Sequence, residues 1–145
     1  MSTTSFQYLA VSQGHLPIVL AGLAFQGRYS ENFKFLVDSG AQFSFAPKGL
    51  LKEIFPEIVG RQEEATPCLD IHGQYVTGTA LTVHVCIDGL PEISEPIWFS
   101  EKVTKSVLGQ TFFEHVEVRF RNFHPDRRVD MASPANVIKP TFGLL

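Results

Sequence analysis

Asp38 is the residue in this chain best placed to do chemistry. Phe35, Leu36 and Val37 read as a buried strand, and they deliver its carboxylate into a small-residue turn, Ser39-Gly40-Ala41. A carboxylate is costly to bury unless it is paired or put to use. Ser39 can hydrogen-bond neighbouring backbone, and Gly40 lets another chain or a substrate come close to the main chain. The plain alternative is a strand that ends in an ordinary Asp-Ser-Gly turn. A second stretch, Ser106-Val107-Leu108-Gly109-Gln110-Thr111-Phe112-Phe113, again runs an apolar pair into glycine. It predicts a short helix over 110–115, followed by a strand in which Val116, Val118 and Phe120 share one face.

Taken together, Leu36-Val37-Asp38-Ser39-Gly40-Ala41 and Val107-Leu108-Gly109 resemble, in the same order, the two halves of the retropepsin pattern of retroviral-type aspartic proteases. The resemblance spans residues 16–123. It implies an all-β fold, a single-lobe closed β-barrel with one or two short helices, acting as a two-fold homodimer. It implies an aspartic endopeptidase in which Asp38 of each protomer forms the catalytic pair. Ser39 would bond across the dimer axis, while Gly40 and Ala41 would offer backbone to the site. Val107, Leu108 and Gly109 would support the loop from beneath. A flap around Ile71, His72 and Gly73, with Gly78 in its arm, would close over an extended peptide or protein substrate. The chemistry calls for no metal and no other cofactor.

The reason for two carboxylates is chemical. Peptide hydrolysis without a metal needs a base to activate water and an acid to protonate the departing amide. Two facing carboxyls that share one proton do both, because like charges at close range do not both ionise. The chain holds one Asp-Ser-Gly, so it carries half of such a site, and a two-fold dimer supplies the rest. Two departures from the family pattern stand out. Gln42 and Gln110 occupy positions where many retropepsins carry an acid and an arginine. Both charges are missing together, so no buried ion is left unpaired. In the family these charges belong to an ion-pair network that supports the dimer, and an amide–amide hydrogen bond could replace it, more weakly. The other departure is the chain beyond residue 123, which could reinforce the terminal sheet or occupy the cleft.

Other elements must position these stretches. Leu16 to Phe25 predicts a first strand, and 33–37 the strand that presents Asp38. Pro47 can open a short helix reaching about Ile54. Residues 66–78 suggest a hairpin with its tip near Gly73. Leu81, Val83, Val85 and Ile87 alternate with Thr82, His84, Cys86 and Asp88, a period of two that marks a half-buried strand, closed by an Asp88-Gly89 turn. Pro96-Ile97-Trp98-Phe99 reads as another strand. The expected division is an N-terminal arm (1–15), the retropepsin-like domain (16–123) and a C-terminal tail (124–145). Prolines 125, 134 and 140 are expected to keep regular structure out of that tail.

At 145 residues the chain is long enough for one domain with a real core. A net charge of -3 argues against nucleic acid as partner, and no apolar run reaches the roughly 20 residues of a membrane span. The first residues lack a basic start and apolar block, and two cysteines make no disulfide framework. A cytoplasmic setting is the expectation. Cys68, His72, His84 and Cys86 could offer soft metal ligands, but their spacing matches no common zinc module. His15, His115 and His124 are expected to be solvated. No Gly-x-Ser-x-Gly surrounds Ser39, which disfavours a serine nucleophile. The rival in a different class is a non-catalytic retropepsin-like domain for dimerisation or peptide binding.

Overall fold

Strand β1 (Ser2–Gln7) opens the chain, and a hairpin of β2 (Leu9–Val11) and β3 (Gly14–Leu16) follows. Next come β4 (Ile18–Phe25), the short β5 (Arg28–Tyr29) and β6 (Phe33–Val37). β7 (Ser44–Pro47) leads directly into α1 (Lys48–Ile54). β8 (Glu64–Leu69) and β9 (Tyr75–Cys86) pair antiparallel, and β10 (Ile93–Ser100) returns beside β9. β11 (Ser106–Leu108), α2 (Gln110–Phe113), β12 (Glu117–Arg121) and β13 (Arg128–Ser133) complete the order. This computed structural model describes residues 2–12, 14–58, 64–69, 75–123 and 125–133.

Six strands close into a barrel in the order β4, β6, β11, β7, β10, β9. The barrel shuts where Gly22, Leu23 and Ala24 of β4 pair with Cys86, Val85 and His84 of β9. Pairing is parallel at β6–β11 and β7–β10 and antiparallel elsewhere around the ring. The apolar alternation explains the closure. Val19, Ala21 and Leu23 of β4 face Val83 and Val85 of β9, Ile97 and Phe99 of β10, and Phe35 and Val37 of β6 in one buried cluster. Each fully buried Val, Leu, Ile or Phe contributes about 1.5–3 kcal/mol of transfer free energy. The period-two expectation for β9 holds: Val83, Val85 and Ile87 are buried, Leu81 is half-buried, and Thr82, His84 and Asp88 are exposed. The chain then turns at Gly89, whose φ of 90° suits glycine, with Leu90 N–H bonded to Ile87 O at 3.0 Å.

Pro47 stands one position earlier than expected. It is the extended residue before α1, where its missing N–H is no loss. Leu51 and Ile54 of α1 are fully buried against the barrel.

The expectation that regular structure is absent beyond residue 123 fails over 128–133, and the alternative that this part of the chain reinforces the terminal sheet holds there. Arg128–Ser133 is a regular strand, not an irregular tail, and it lies between β1 and β12 in a separate three-stranded sheet. Val129 and Met131 point inward and are buried, while Arg128, Asp130 and Ala132 alternate outward. Val129, Met131 and Ala132 are the apolar residues between Pro125 and Pro134, too few to read as a period locally. The strand forms because long-range partners are waiting: Phe6 opposite Val129 on one side and Phe120 opposite it on the other. No described helix is long and apolar enough to cross a membrane.

Candidate active site

Asp38 leaves the barrel at the end of β6, and three backbone bonds fix its exit. Val37 N–H donates to Pro17 O at 2.9 Å, Asp38 N–H to Leu108 O at 3.0 Å, and Ala41 N–H back to Asp38 O at 3.2 Å. The first two lock the strand to its flanks, and the third closes the turn. Within that turn Gly40 N–H donates to the Asp38 carboxylate Oδ1 at 2.8 Å, which sets the orientation of the side chain. No second hydrogen bond to this carboxylate is present among the described residues. Ser39 is exposed beside it.

The second stretch lies under this loop. Leu36 and Val37 pair parallel with Val107 and Leu108, and Leu108 is fully buried. A Cβ added to Gly109 would fall 2.4 Å from Phe43 O and 2.7 Å from Ala41 O. Only glycine lets the loop 41–43 rest on this corner. The first two amides of α2 then have ready partners, Gln110 N–H to Ala41 O at 2.8 Å and Thr111 N–H to Gln42 O at 3.2 Å. Within the chain no hydrogen bond joins the Gln42 and Gln110 side chains among the described residues. Gln110 Nε2 instead donates to the backbone carbonyl of Ser39, and Gln42 takes part through its own backbone oxygen. The side chain of Gln110 is long enough to reach over the turn to this carbonyl.

Asp38 and Ser39 border an open cleft of about 470 Å³, together with Tyr8, His15, Phe120 and Asn122. Tyr8 Oη donates to Asn122 Oδ1 at 2.5 Å. His15 is exposed, as expected, but has a partner: its Nδ1 lies 2.9 Å from Arg127 Nη1. Sequence reading did not associate Tyr8, His15 or Asn122 with Asp38. They come from the β1–β2 connection, the β2–β3 hairpin and the chain after β12, and only tertiary folding gathers them.

A second omission is Glu95. It lies between Ile93 and Ile97 on the inward face of β10 and is fully buried. Its Oε2 accepts from Ser44 Oγ at 2.6 Å and from Thr111 Oγ1 at 2.8 Å, and Ser44 Oγ accepts Gly109 N–H at 3.0 Å. Burial pushes the Glu95 carboxyl above the ordinary glutamate range, while the two hydroxyl donors and His115 oppose this and Glu114 adds to it. The signal available in the sequence was a charged residue at an apolar position of a period-two run.

Ile71, His72 and Gly73, the expected flap, lie outside the described residues. The strands on either side of them, β8 and β9, pair antiparallel with Glu64 opposite Gly78 and Leu69 opposite Tyr75. Gly78 sits where a Cβ would meet Phe99 O at 2.8 Å, so β9 crosses close to β10 there. Of the soft-ligand set, His84 is exposed and Cys86 is half-buried, with its Sγ 3.8 Å from Glu92 Oε1. His72 and the side chain of Cys68 lie outside the described residues. Among those described, no three His, Cys, Asp or Glu side chains gather as a metal site.

This architecture is the retropepsin-like aspartic protease fold. A retropepsin-like aspartic protease from Rickettsia conorii is similar at a TM-score of 0.59 and 13% identity, over 89% of this chain and 89% of that one. The EIAV protease complexed with the inhibitor HBY-793 is similar at a TM-score of 0.50 and 14% identity, over 73% of this chain and 92% of that one. No family model and no curated protein matches the sequence. At these identities the likeness is one of fold.

Proposed function

We propose that this chain is an aspartic endopeptidase that cleaves extended peptide segments, with Asp38 and the Asp38 of a second copy as its catalytic pair. The observation that carries the reading is the Asp38 turn itself: a carboxylate oriented by Gly40 N–H, seated on Leu108 and Gly109, and open to a cleft. In the fold of a retropepsin, that is where one half of a dyad belongs. The two carboxyls hold a water between them. One ionised carboxylate removes a proton from the water as it attacks the scissile carbonyl, and the protonated partner donates its proton to the carbonyl oxygen; as the C–N bond breaks, the proton taken from the water passes to the leaving nitrogen and the diol hydroxyl returns a proton to the partner.

The other assignments follow from this reading. Ser39 bonds across the two-fold axis, which its exposure beside Asp38 allows. Val107, Leu108 and Gly109 carry the loop, and residues 71–73, between β8 and β9 in the chain, serve as the flap that covers the substrate. Substrate lies extended in the cleft, recognised through main-chain hydrogen bonds. No metal or cofactor takes part. A chain with two cysteines and net charge -3 suits a reducing, cytoplasmic setting without nucleic acid or membrane as partner.

The test is sedimentation of the purified chain beside peptide-library cleavage by wild type and Asp38→Asn. We expect a dimer whose cleavage falls at least about 1,000-fold in the variant, the scale on which loss of a catalytic group is felt, while the dimer persists. Wild-type-like turnover by Asp38→Asn would overturn the assignment. A folded dimer that cleaves nothing would make this a peptide-binding or dimerisation domain.

A further inference from the structure

We propose that Glu95 is a positioning residue for the Asp38 loop: one buried carboxyl oxygen, shared by Ser44 and Thr111, holds β7, β10 and α2 in the arrangement that presents Asp38. The proposal rests on the reading of Asp38 as a reacting carboxylate.

A continuous chain of hydrogen bonds connects the two acids. Glu95 Oε2 accepts from Ser44 Oγ, Ser44 Oγ accepts from Gly109 N–H, and across that same peptide unit Leu108 O accepts from Asp38 N–H. The second branch runs from Glu95 Oε2 to Thr111 Oγ1, and the Thr111 amide holds Gln42 O at the far end of the loop. Both branches therefore grip the segment from Asp38 to Gln42, one from beneath and one from its exit. An apolar residue at position 95 would suit Ile93 and Ile97 but would leave the Ser44 and Thr111 hydroxyls without this acceptor. Burying a carboxyl in a core is costly, and among the described residues the buried one that takes two hydroxyl donors lies under the Asp38 loop.

The second oxygen, Oε1, is buried without a hydrogen-bond partner among the described residues. That environment favours the neutral acid. Across the strand pairs Glu95 faces Val83 of β9, and Ser44 of β7 and Thr111 of α2 are its uncharged donors. Glu114 and His115, just after α2, are the ionisable groups that act on it, and they act in opposite senses. A proton on Glu95 leaves Oε2 free to accept both hydroxyls, so the grip survives neutralisation.

The experiment compares the full chain as wild type, Glu95→Leu and Glu95→Gln, with unfolded casein as the cleavage probe and amide hydrogen exchange at Gly109 and Thr111 as the second readout. Glu95→Leu should lower kcat about tenfold or more at nearly unchanged KM and speed exchange at both amides by a similar factor, since a misplaced reacting group is expensive. Glu95→Gln keeps the acceptor and should restore both readouts. The loss of stability that Glu95 causes in wild type, as pH climbs past the ordinary glutamate value and through the raised one, should be absent from this variant. Wild-type kcat and exchange in Glu95→Leu would overturn the proposal. If Glu95→Leu does not fold, Thr111→Val deletes one donor and must still lower kcat at unchanged KM; wild-type kcat there overturns it equally. If Asp38→Asn keeps cleaving, the protease reading fails, and the exchange readout, which needs no substrate, decides Glu95 by itself.

Discussion

The carbonyl of Leu108 accepts the backbone N–H of Asp38 at 3.0 Å, across a parallel pairing of β11 with β6. Parallel neighbours cannot be joined by a tight turn, so most of the barrel is threaded between these two short strands. The stretch that presents the carboxylate and the stretch that supports it therefore meet only when the barrel has closed. Gly109, next in the chain, converts that meeting into a seat for the whole loop.

Gly109→Ala tests the seat. Its new methyl would lie 2.4 Å from Phe43 O and 2.7 Å from Ala41 O, both backbone atoms that cannot rotate away. We expect a loss of about 3 kcal/mol or more in urea unfolding, the upper end for overpacking, and cleavage lost with it. A variant as stable as wild type would show that the loop shifts freely on this corner.

Asp130 should make the terminal sheet sensitive to acid. Its carboxylate accepts from Ser5 Oγ at 2.7 Å and pairs with Arg121 Nε at 2.7 Å and Arg128 Nε at 3.0 Å. The Ser5 hydroxyl, followed by the two arginines, holds its carboxyl below the ordinary aspartate range. A depressed value means that stability is present above the unfolded aspartate pKa and is lost as pH falls through the folded one. Asp130→Asn should cost about 1 kcal/mol at neutral pH, discounted for partial exposure, with the gap closing in acid. Thermal unfolding of both proteins across that range checks the sign; a gap that widens in acid contradicts it.

Met131→Ala asks whether β13 belongs to the folded core. Met131 is 1% exposed and lies among Val129, Val116 and the barrel residues. Truncation should cost about 2–5 kcal/mol, read as a lower urea midpoint in a single cooperative transition. A cost under about 0.5 kcal/mol, the level of a surface change, would mean that this strand merely decorates the domain.

What the sequence determined by itself was local. The three apolar residues before Asp38, the small residues after it, and the alternation through Val83, Val85 and Ile87 specify their strands wherever they end up, because side-chain period and turn chemistry are properties of neighbours in the chain. The two glycine-bearing stretches and their order were enough to suggest the barrel. Tertiary structure decided everything that depends on distant partners. It placed Glu95 beneath the Asp38 loop, where a lone charge in an apolar run gains two hydroxyl donors from other elements. Gln110 reached the carbonyl of Ser39, and not the side chain of Gln42, because carbonyl position depends on how the loop lies over α2. And Arg128–Ser133, too sparsely apolar to read as a strand beside its flanking prolines, became one by pairing in register with β1 and β12, whose backbone groups it satisfies.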